Sequence, residues 1–499
     1  MPGNVQPSLH AARALRLAVW AMLALWTFVG LDRPIGDGDE SMHAEMLRQM
    51  VRTGDLLHTR WYGVVLHERS PLTYWLALPF AALSSSEIAV RSSSALMSFG
   101  ILVLIYRTAC RLWSQPTAAL TACVFLAAIP SYHVYTRTLM SESPYLLALT
   151  IALWGAIRAQ EDRRGLLLAA AGLGAAVAIK SLAAAAPLLA LAPWLVRAQL
   201  RHGGARSAAS ALLVFLALAA PFFVFNYLEE PELFVREHIG FHLLERAQRS
   251  TMGMGGGFFT YAHSIVYRDG PFIGALIALI LLASAYFGRR RQLRILWLVT
   301  SYVALFFVAI SLVRTHSAHY ILPIYPPVAL AAAGVLSHGF ARSPRQLWHV
   351  VAPALAGVLL LASLPYSGGR DALLERPFGK ILGQKARELP KHERLYAYEW
   401  YGLALGYYAD HPVVLLTAQR DRFESINFRM GPIERAGAAA LVPPLPAAEG
   451  QTIYIAGHVA DLSGTKWLTI GNILAAAPPY FLAEARIVAD GLNYAAHQP

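Results

Sequence analysis

Long apolar runs, separated by short clusters of arginine and small polar residues, fill most of the first 340 positions. The run over 208–228 holds no charged residue at all, and about 20 apolar residues is the length a helix needs to cross the hydrocarbon layer of a bilayer. Eleven such segments predict spanning helices, at 14–31, 88–112, 116–131, 143–158, 165–180, 182–197, 208–228, 271–288, 295–313, 319–338 and 347–364. A twelfth apolar stretch, 71–83, is short and ends at the triplet Ser84-Ser85-Ser86, so it predicts an interfacial or re-entrant element. Beyond 364 the pattern changes. Helix-like pieces (378–388, 402–408) alternate with strand-like ones (394–399, 413–416, 452–456), which predicts a small α/β domain of a common size. The expected fold is mainly α: a polytopic transmembrane bundle over 1–364 with interfacial helices, and a C-terminal α/β domain over 365–499.

Charge fixes the orientation. With the N-terminus in the cytoplasm, the cytoplasmic loops hold Arg107, Arg111, Arg158, Arg163, Arg164, Arg197, Arg201, Arg206, Arg289, Arg290, Arg291, Arg294, Arg342 and Arg345. The short outer loops hold only Arg137, Lys180 and Arg314. Counting 71–83 as a span would reverse the later loops and break the positive-inside bias. This topology puts a first loop (32–87), a middle loop (229–270) and the C-terminal domain outside the cytoplasm. The composition agrees: 56% of residues are hydrophobic and 14% charged, against about 25% charged in soluble domains. The net charge of +12 sits in loop clusters, so it orients the chain in a membrane and predicts no nucleic-acid partner. Cys110 and Cys123 lie in or beside apolar segments and supply neither a disulfide framework nor zinc spacing. The first run has no small-residue cleavage site after it and reads as a retained helix.

The chemistry-bearing residues gather on one side of this topology. The first loop opens with Gly36-Asp37-Gly38-Asp39-Glu40, carboxylates that at a membrane interface must be solvated, paired or used. The plain reading makes Asp39 the cap of the following helix and Glu40 a complement to its dipole. Glu68-Arg69-Ser70-Pro71 follows, where Arg69 either offers its planar fork to phosphate oxygens or simply anchors the chain at the interface. Arg137 and Glu142 occupy the second outer loop, Lys180 ends the fifth helix, and Arg314, His316, His319 and Tyr320 fill the last short outer loop. Helix interiors are nearly free of ionisable groups, whereas a proton-driven transporter is expected to carry them near the midplane. The layout suits an enzyme with its site at the outer interface. The carboxylates Asp37, Asp39, Glu40 and Glu142 have the oxygen chemistry for a divalent cation, but their spacing is not diagnostic and no metal is assigned. The middle loop, with Arg236, His238 and a glycine-rich run at 252–257, reads equally as a lid or as an ordinary surface loop.

In order and spacing these motifs resemble the membrane-embedded GT-C glycosyltransferases, in the branch containing the lipid A aminoarabinose transferases and the protein mannosyltransferases. The resemblance runs through Asp39-Glu40, Arg52-Thr53-Gly54-Asp55, Glu68-Arg69-Ser70-Pro71-Leu72-Thr73-Tyr74-Trp75, Arg91, Arg137, Met140-Ser141-Glu142 and Ile179-Lys180-Ser181. It ends on His319-Tyr320-Ile321-Leu322-Pro323-Ile324-Tyr325-Pro326 and covers about 14–340. Departures are specific. The chain has Arg69-Ser70-Pro71-Leu72 where the family usually has Lys-Pro-Pro-Leu, and Glu142 where many relatives have aspartate. It has Lys180-Ser181 for lysine-glycine, and His316 at a place where lysine is common.

The resemblance implies a bacterial inner-membrane enzyme whose periplasmic site takes a sugar from a polyprenyl (undecaprenyl) phosphate and passes it to lipid A, another glycan or a protein, with inversion. It implies Asp39 as general base and Arg69 as the first group on the leaving phosphate, with Lys180 and His319 beside it. Glu142 would orient the acceptor or raise the proton affinity of Asp39. Glu40, Glu68, Arg137, His316 and Tyr320 would support. The rival reading, a lipid-linked sugar flippase, needs a polar path across the membrane that the sequence does not offer.

Overall fold

A computed structural model of the chain describes residues 9–36, 38–61, 64–67, 70–245, 248, 255–289, 294–340, 378–390, 392–398, 402–411, 413–416, 450, 452–463 and 468–488. They form two compact units. One comprises Met1–Leu31, Arg91–Ser250 and Met254–Arg370; the other comprises Asp32–Val90, Thr251–Gly253 and Asp371–Pro499. The first loop therefore belongs to the same unit as the C-terminal region.

The first unit is helical. It holds α1 (Leu9–Phe28), most of α5 (Glu87–Trp113), α6 (Pro116–Ala128), α7 (Pro130–Tyr135), α8 (Glu142–Ala159), α9 (Arg164–Lys180), α10 (Ala185–His202) and α11 (Ala205–Glu229). Further along it holds Pro271–Phe287, Ile295–Leu312 and Tyr325–Phe340. Among the described residues, Glu87–Trp113, Ala205–Glu229, Ile295–Leu312 and Ala318–His338 are long and apolar enough to cross a membrane. The segment expected at 347–364 lies outside the described residues. At its centre α6 is buried from Ala118 to Ala128, and Tyr325–Phe340 packs against the same core through Val328, Ala329 and Ala331. By contrast α11 exposes Leu212, Leu213, Leu216 and Val224, an apolar helix surface of the kind a bilayer covers.

Three expected helices are broken. The segment at 116–131 stops at Ile129, which is extended (φ −71°, ψ 115°), because the residue before a proline is pushed out of the helical region. A new short helix then starts at Pro130. Ser181 follows Lys180 with φ 50° and turns the chain into a 3-10 segment, Ser181–Ala184, before α10. The stretch after 317 is likewise 3-10 over Ala318–Ile324 and becomes α-helical only at Tyr325, since Pro323 has no N–H to continue the ladder.

In the second unit the first loop forms α2 (Asp39–Thr53), a hairpin of β1 (Arg60–Trp61) and β2 (Val64–Val65), α3 (Leu72–Trp75) and α4 (Leu78–Leu83). The last two are too short to span, at about 1.5 Å of rise per residue. Gly54 ends α2 in the left-handed conformation (φ 69°), as helix C-termini favour. The next residue, Asp55, organises the turn by accepting from Leu57 N–H (3.2 Å), His58 N–H (3.2 Å) and Arg60 Nη2 (3.0 Å). Burial pushes its carboxyl up, but the His58 N–H, the Arg60 and His58 side chains and the Leu57 N–H outweigh that and bring it from 3.8 down to about 2. A lowered folded-state value stabilises the fold above the unfolded value and is lost as pH falls through the folded one. Amide protection at Leu57 and His58 is therefore expected to fall between about pH 4 and pH 2 in the native chain. In Asp55→Asn it is expected to be low already at pH 5, as read by hydrogen exchange corrected for intrinsic rates.

The C-terminal part of this unit is a five-stranded sheet. In chain order its strands are β3 (Leu395–Tyr398), β4 (Val413–Leu416), β5 (Thr452–His458), β6 (Leu468–Ala477) and β7 (Tyr480–Ile487), and in space they run β4-β3-β5-β7-β6. β4, β3 and β5 are parallel, while β7 is antiparallel to both β5 and β6. Alternation along the strands buries both faces. Tyr396, Ile453, Ile455 and Phe481 form one core, and Leu395, Ala397, Ala456 and Leu482 form the other with Phe378, Leu382 and Leu405 from the flanking helices Phe378–Ala386 and Leu403–Ala409. The β6–β7 hairpin was not read from the sequence. Its strands are rich in alanine, a helix former, and only the pattern around Pro478-Pro479 marks the turn.

Candidate functional site

Glycines set up the site in the first unit. α8 and α9 form a hairpin that packs backbone to backbone. A Cβ on Gly155 would lie 2.3 Å from Ala169 N, one on Gly165 2.2 Å from Ala159 N, and one on Gly172 2.5 Å from Ala148 O. This close packing brings the N-terminus of α8, at Glu142, beside the C-terminus of α9, at Lys180. A carboxylate in a first helical turn and an ammonium in a last turn both sit where the helix dipoles favour them. Gly172→Ala is expected to force the pair apart and destabilise the protein by about 1–3 kcal/mol, measured by thermal unfolding in detergent, with a loss of turnover that follows the displaced Lys180.

Lys180 Nζ donates to Glu142 Oε1, and His319 Nε2 lies 3.4 Å from the same oxygen. Glu142 is 3% exposed and Lys180 14%, so the ion pair is screened little by solvent. Aromatic rings close around the cation: Lys180 Nζ is 5.4 Å from the Tyr145 ring centre and 5.7 Å from that of Tyr320. Tyr145 is itself fixed by a hydrogen bond to Ala183 O (2.8 Å). His319 is held on its other nitrogen, Nδ1, by Ser317 Oγ (3.0 Å), and its ring meets Tyr135 at 5.5 Å and Tyr320 at 4.9 Å. Two cation-capable side chains thus converge on one buried carboxylate in an aromatic wall.

The remaining expected residues are placed differently. His316 is buried three residues away, with Nδ1 3.2 Å from Arg314 O and its ring 5.1 Å from that of Tyr261. Arg137 is buried and bonds to His133 Nε2 and Val29 O, tying the second outer loop to the end of α1. Arg91 does similar work, donating to Leu31 O (3.0 Å). Asp39 and Glu40 lie in the second unit. The N-cap position of α2 falls on Gly38, whose φ of 127° only glycine adopts readily, so Asp39 is the first helical residue and not the cap. Glu40 Oε2 reaches back to accept from Gly36 N–H (2.9 Å). Glu68 and Arg69 lie outside the described residues. Among the described residues no group of three or more His, Cys, Asp or Glu side chains gathers as metal ligands would.

One group escaped the sequence reading. Asp269, at the end of the middle loop and 1% exposed, accepts from Ser131 N–H (2.7 Å) and from Tyr325 Oη (2.5 Å). Its neighbour Arg268 donates to Tyr135 Oη (3.0 Å), and Tyr135 is the ring that packs on His319. Burial pushes the Asp269 carboxyl up against the lowering pull of those hydrogen bonds. The break at Pro130 is what frees the Ser131 N–H for this contact. The only sequence signal was Arg268-Asp269-Gly270-Pro271 at the mouth of a span.

Comparison with known proteins gives a consistent answer. The profile of the dolichyl-phosphate-mannose-protein mannosyltransferase family matches residues 68–225. An undecaprenyl phosphate-alpha-4-amino-4-deoxy-L-arabinose arabinosyl transferase of Aeromonas salmonicida is 26% identical over 371 residues, which is 70% of this chain and 66% of that protein. The enzyme of the same name from Aeromonas hydrophila is 25% identical over 64% of this chain and 60% of its own length. The chain thus spans two thirds or less of these curated relatives. Among solved structures, ArnT from Cupriavidus metallidurans, bound to undecaprenyl phosphate, superposes with a TM-score of 0.70 at 20% identity, covering 96% of this chain and 98% of that one. The chain shares the fold of ArnT, and in sequence it is similar to the aminoarabinosyl transferases and, over 68–225, to the mannosyltransferase family.

The same fold extends to an oligosaccharyltransferase of Archaeoglobus fulgidus, at a TM-score of 0.53 and 13% identity over 89% of this chain. Four described helices are long and apolar enough to cross a membrane, which fits a membrane protein. The matched stretch 68–225 contains Glu142 and Lys180, so the ion pair sits within the part of the chain that carries the family profile.

Proposed function

We propose that the chain is an integral membrane glycosyltransferase that moves a sugar from a polyprenyl phosphate to a lipid, glycan or protein acceptor at the periplasmic face. The observation that carries this reading is the convergence of Lys180 and His319 on Glu142 inside an aromatic wall, a cationic setting suited to a phosphate oxygen. The names of the curated relatives point to undecaprenyl phosphate as the carrier. Eleven spans, a cytoplasmic N-terminus and a periplasmic C-terminal domain over 365–499 complete the arrangement, on the strength of the loop arginines.

In the proposed reaction the acceptor hydroxyl gives its proton to Asp39 as its oxygen bonds to the anomeric carbon. The bond from that carbon to the phosphate oxygen breaks and its electron pair leaves with the polyprenyl phosphate, inverting the centre. Negative charge develops on the leaving oxygen, where preorganised donors are worth most. Arg69, Lys180 and His319 supply them. An ammonium has three donors and Glu142 takes one, so Glu142 aims Lys180 while leaving it donors for phosphate. Tyr320 walls the same cation, Glu40 and Arg137 hold the backbone at Gly36 and Val29, and Glu68 and His316 take supporting roles on the strength of the motif resemblance.

The test is direct. Purified protein is incubated with undecaprenyl phosphate-linked 4-amino-4-deoxy-L-arabinose and other polyprenyl phosphate sugars, with lipid A, glycan or peptide acceptors. Free polyprenyl phosphate that appears only when an acceptor is present is the expected result. Donor that crosses liposome membranes intact and is never cleaved would replace the enzyme with a flippase.

A further inference from the structure

The acidic loop that carries Asp39 is held from both sides by one short stretch of the C-terminal region. On its N-terminal side, Ile35 N–H donates to Tyr408 Oη (2.7 Å). That hydroxyl donates in turn to Glu87 Oε1 (2.8 Å), which also accepts from Lys380 Nζ (2.6 Å). The tyrosine hydroxyl is thereby used as both donor and acceptor and has little freedom to turn. The next residue, Gly36, is bonded to Glu40, so the link at Ile35 passes directly into the carboxylate strip.

On the C-terminal side, Arg52 makes a two-pronged pair with Asp410, Nη1 to Oδ1 at 2.7 Å and Nη2 to Oδ2 at 2.8 Å. Arg48, one turn earlier on α2, donates to Tyr407 O (2.7 Å), pairs with Glu45, lies 3.4 Å from Asp410 Oδ1 and stacks over the Tyr407 ring at 4.7 Å. Planar fork-to-carboxylate pairs fix direction as well as distance. Asp410 adopts the left-handed conformation (φ 53°) at the end of helix Leu403–Ala409. There its carboxylate meets Arg52 and Arg48, and Arg48 also bonds to Tyr407 O.

These contacts exceed what is needed to dock a domain, because they fall at the two ends of the same loop–helix segment. We propose that Tyr407, Tyr408 and Asp410 form a positioning element that fixes the Asp39 carboxylate for reaction, so that the C-terminal region completes the catalytic loop. This rests on the reading of Asp39 as general base. A displacement of about 1 Å in a reacting group can cost about 100-fold in rate, while these residues touch neither donor nor acceptor in the proposed mechanism. Their loss should therefore fall on kcat and spare donor KM.

The experiment compares Tyr408→Phe, Asp410→Asn and Asp39→Asn in the full-length protein, with undecaprenyl phosphate-linked 4-amino-4-deoxy-L-arabinose as donor and lipid A as acceptor. Tyr408→Phe removes one oxygen and keeps the ring, and thermal unfolding checks that each variant is folded. The expected result is a kcat lowered about 10- to 100-fold in the first two variants, donor KM within about two-fold of the native value, and a further loss in Asp39→Asn. Native kcat in Tyr408→Phe and Asp410→Asn alongside an inactive Asp39→Asn overturns the positioning element and leaves the base in place. So does a donor KM that rises as kcat falls, which marks general structural support. Native kcat in Asp39→Asn removes the base and the positioning proposal together.

Discussion

Asp39→Asn is expected to lower the release of polyprenyl phosphate by about 10²- to 10⁴-fold, the range over which a positioned general base acts, with donor affinity unchanged. The substitution keeps the shape of the side chain and removes its proton affinity. Asp39 is the first residue of α2, while the link back to the loop, at Gly36 N–H, is made by Glu40. On the proposed reading Glu40 holds the loop at Gly36 and Asp39 takes the proton. Glu40→Gln provides the contrast, because an amide oxygen still accepts from Gly36 N–H. It is expected to cost less than about 10-fold, the scale of one weakened hydrogen bond. Single-turnover rates for the two variants, with donor binding measured separately, decide the matter: equal losses would make the pair a structural unit and take the base role from Asp39.

How much of this was readable in the chain depends on which interaction sets each element. Apolar length is a local signal, and it located the long helices that the structure describes from α1 to Tyr325–Phe340, while the short helices Pro130–Tyr135, Pro231–Phe234 and Thr260–Ser264 carry no such signal. The amphipathic stretch after Asp39 appeared as the helix it is, and its stop at Gly54 was marked by residue type. The order of Glu142, Lys180 and His319 pointed to one side of the membrane, but not to a shared oxygen. That contact depends on Gly155, Gly165 and Gly172 letting two backbones touch, a property of a pair of helices and not of either sequence alone. Asp269 was missed for the same reason. Its partners, Ser131 and Tyr325, are 138 and 56 positions away, and the Arg268-Asp269-Gly270-Pro271 stretch alone does not distinguish a buried acceptor from an ordinary loop aspartate. The role of the C-terminal region was equally hidden, since Asp410 meets Arg48 and Arg52 across more than 350 positions.

The ion pair at the heart of the site offers the second large effect. Lys180→Met leaves Glu142 buried without its ammonium partner, and breaking a buried pair from one side costs about 3–5 kcal/mol. A marked fall in unfolding temperature is expected, together with a loss of turnover of about 10²- to 10³-fold, the scale of removing one donor from a developing oxyanion. Both losses have structural and catalytic parts, and the double variant Lys180→Met with Glu142→Gln separates them. The neutral amide needs no counter-charge, so most of the stability should return, as when buried pairs are replaced by uncharged groups of similar size. Turnover should not return, because the leaving phosphate still lacks its cation. Lys180→Arg keeps the charge but substitutes a rigid fork for a rotating ammonium, and it should hold stability better than activity. Thermal unfolding and donor turnover measured on the same preparations give the answer. A double variant that recovers both stability and turnover would show that Lys180 serves only to neutralise Glu142, and the phosphate role would pass to Arg69 and His319.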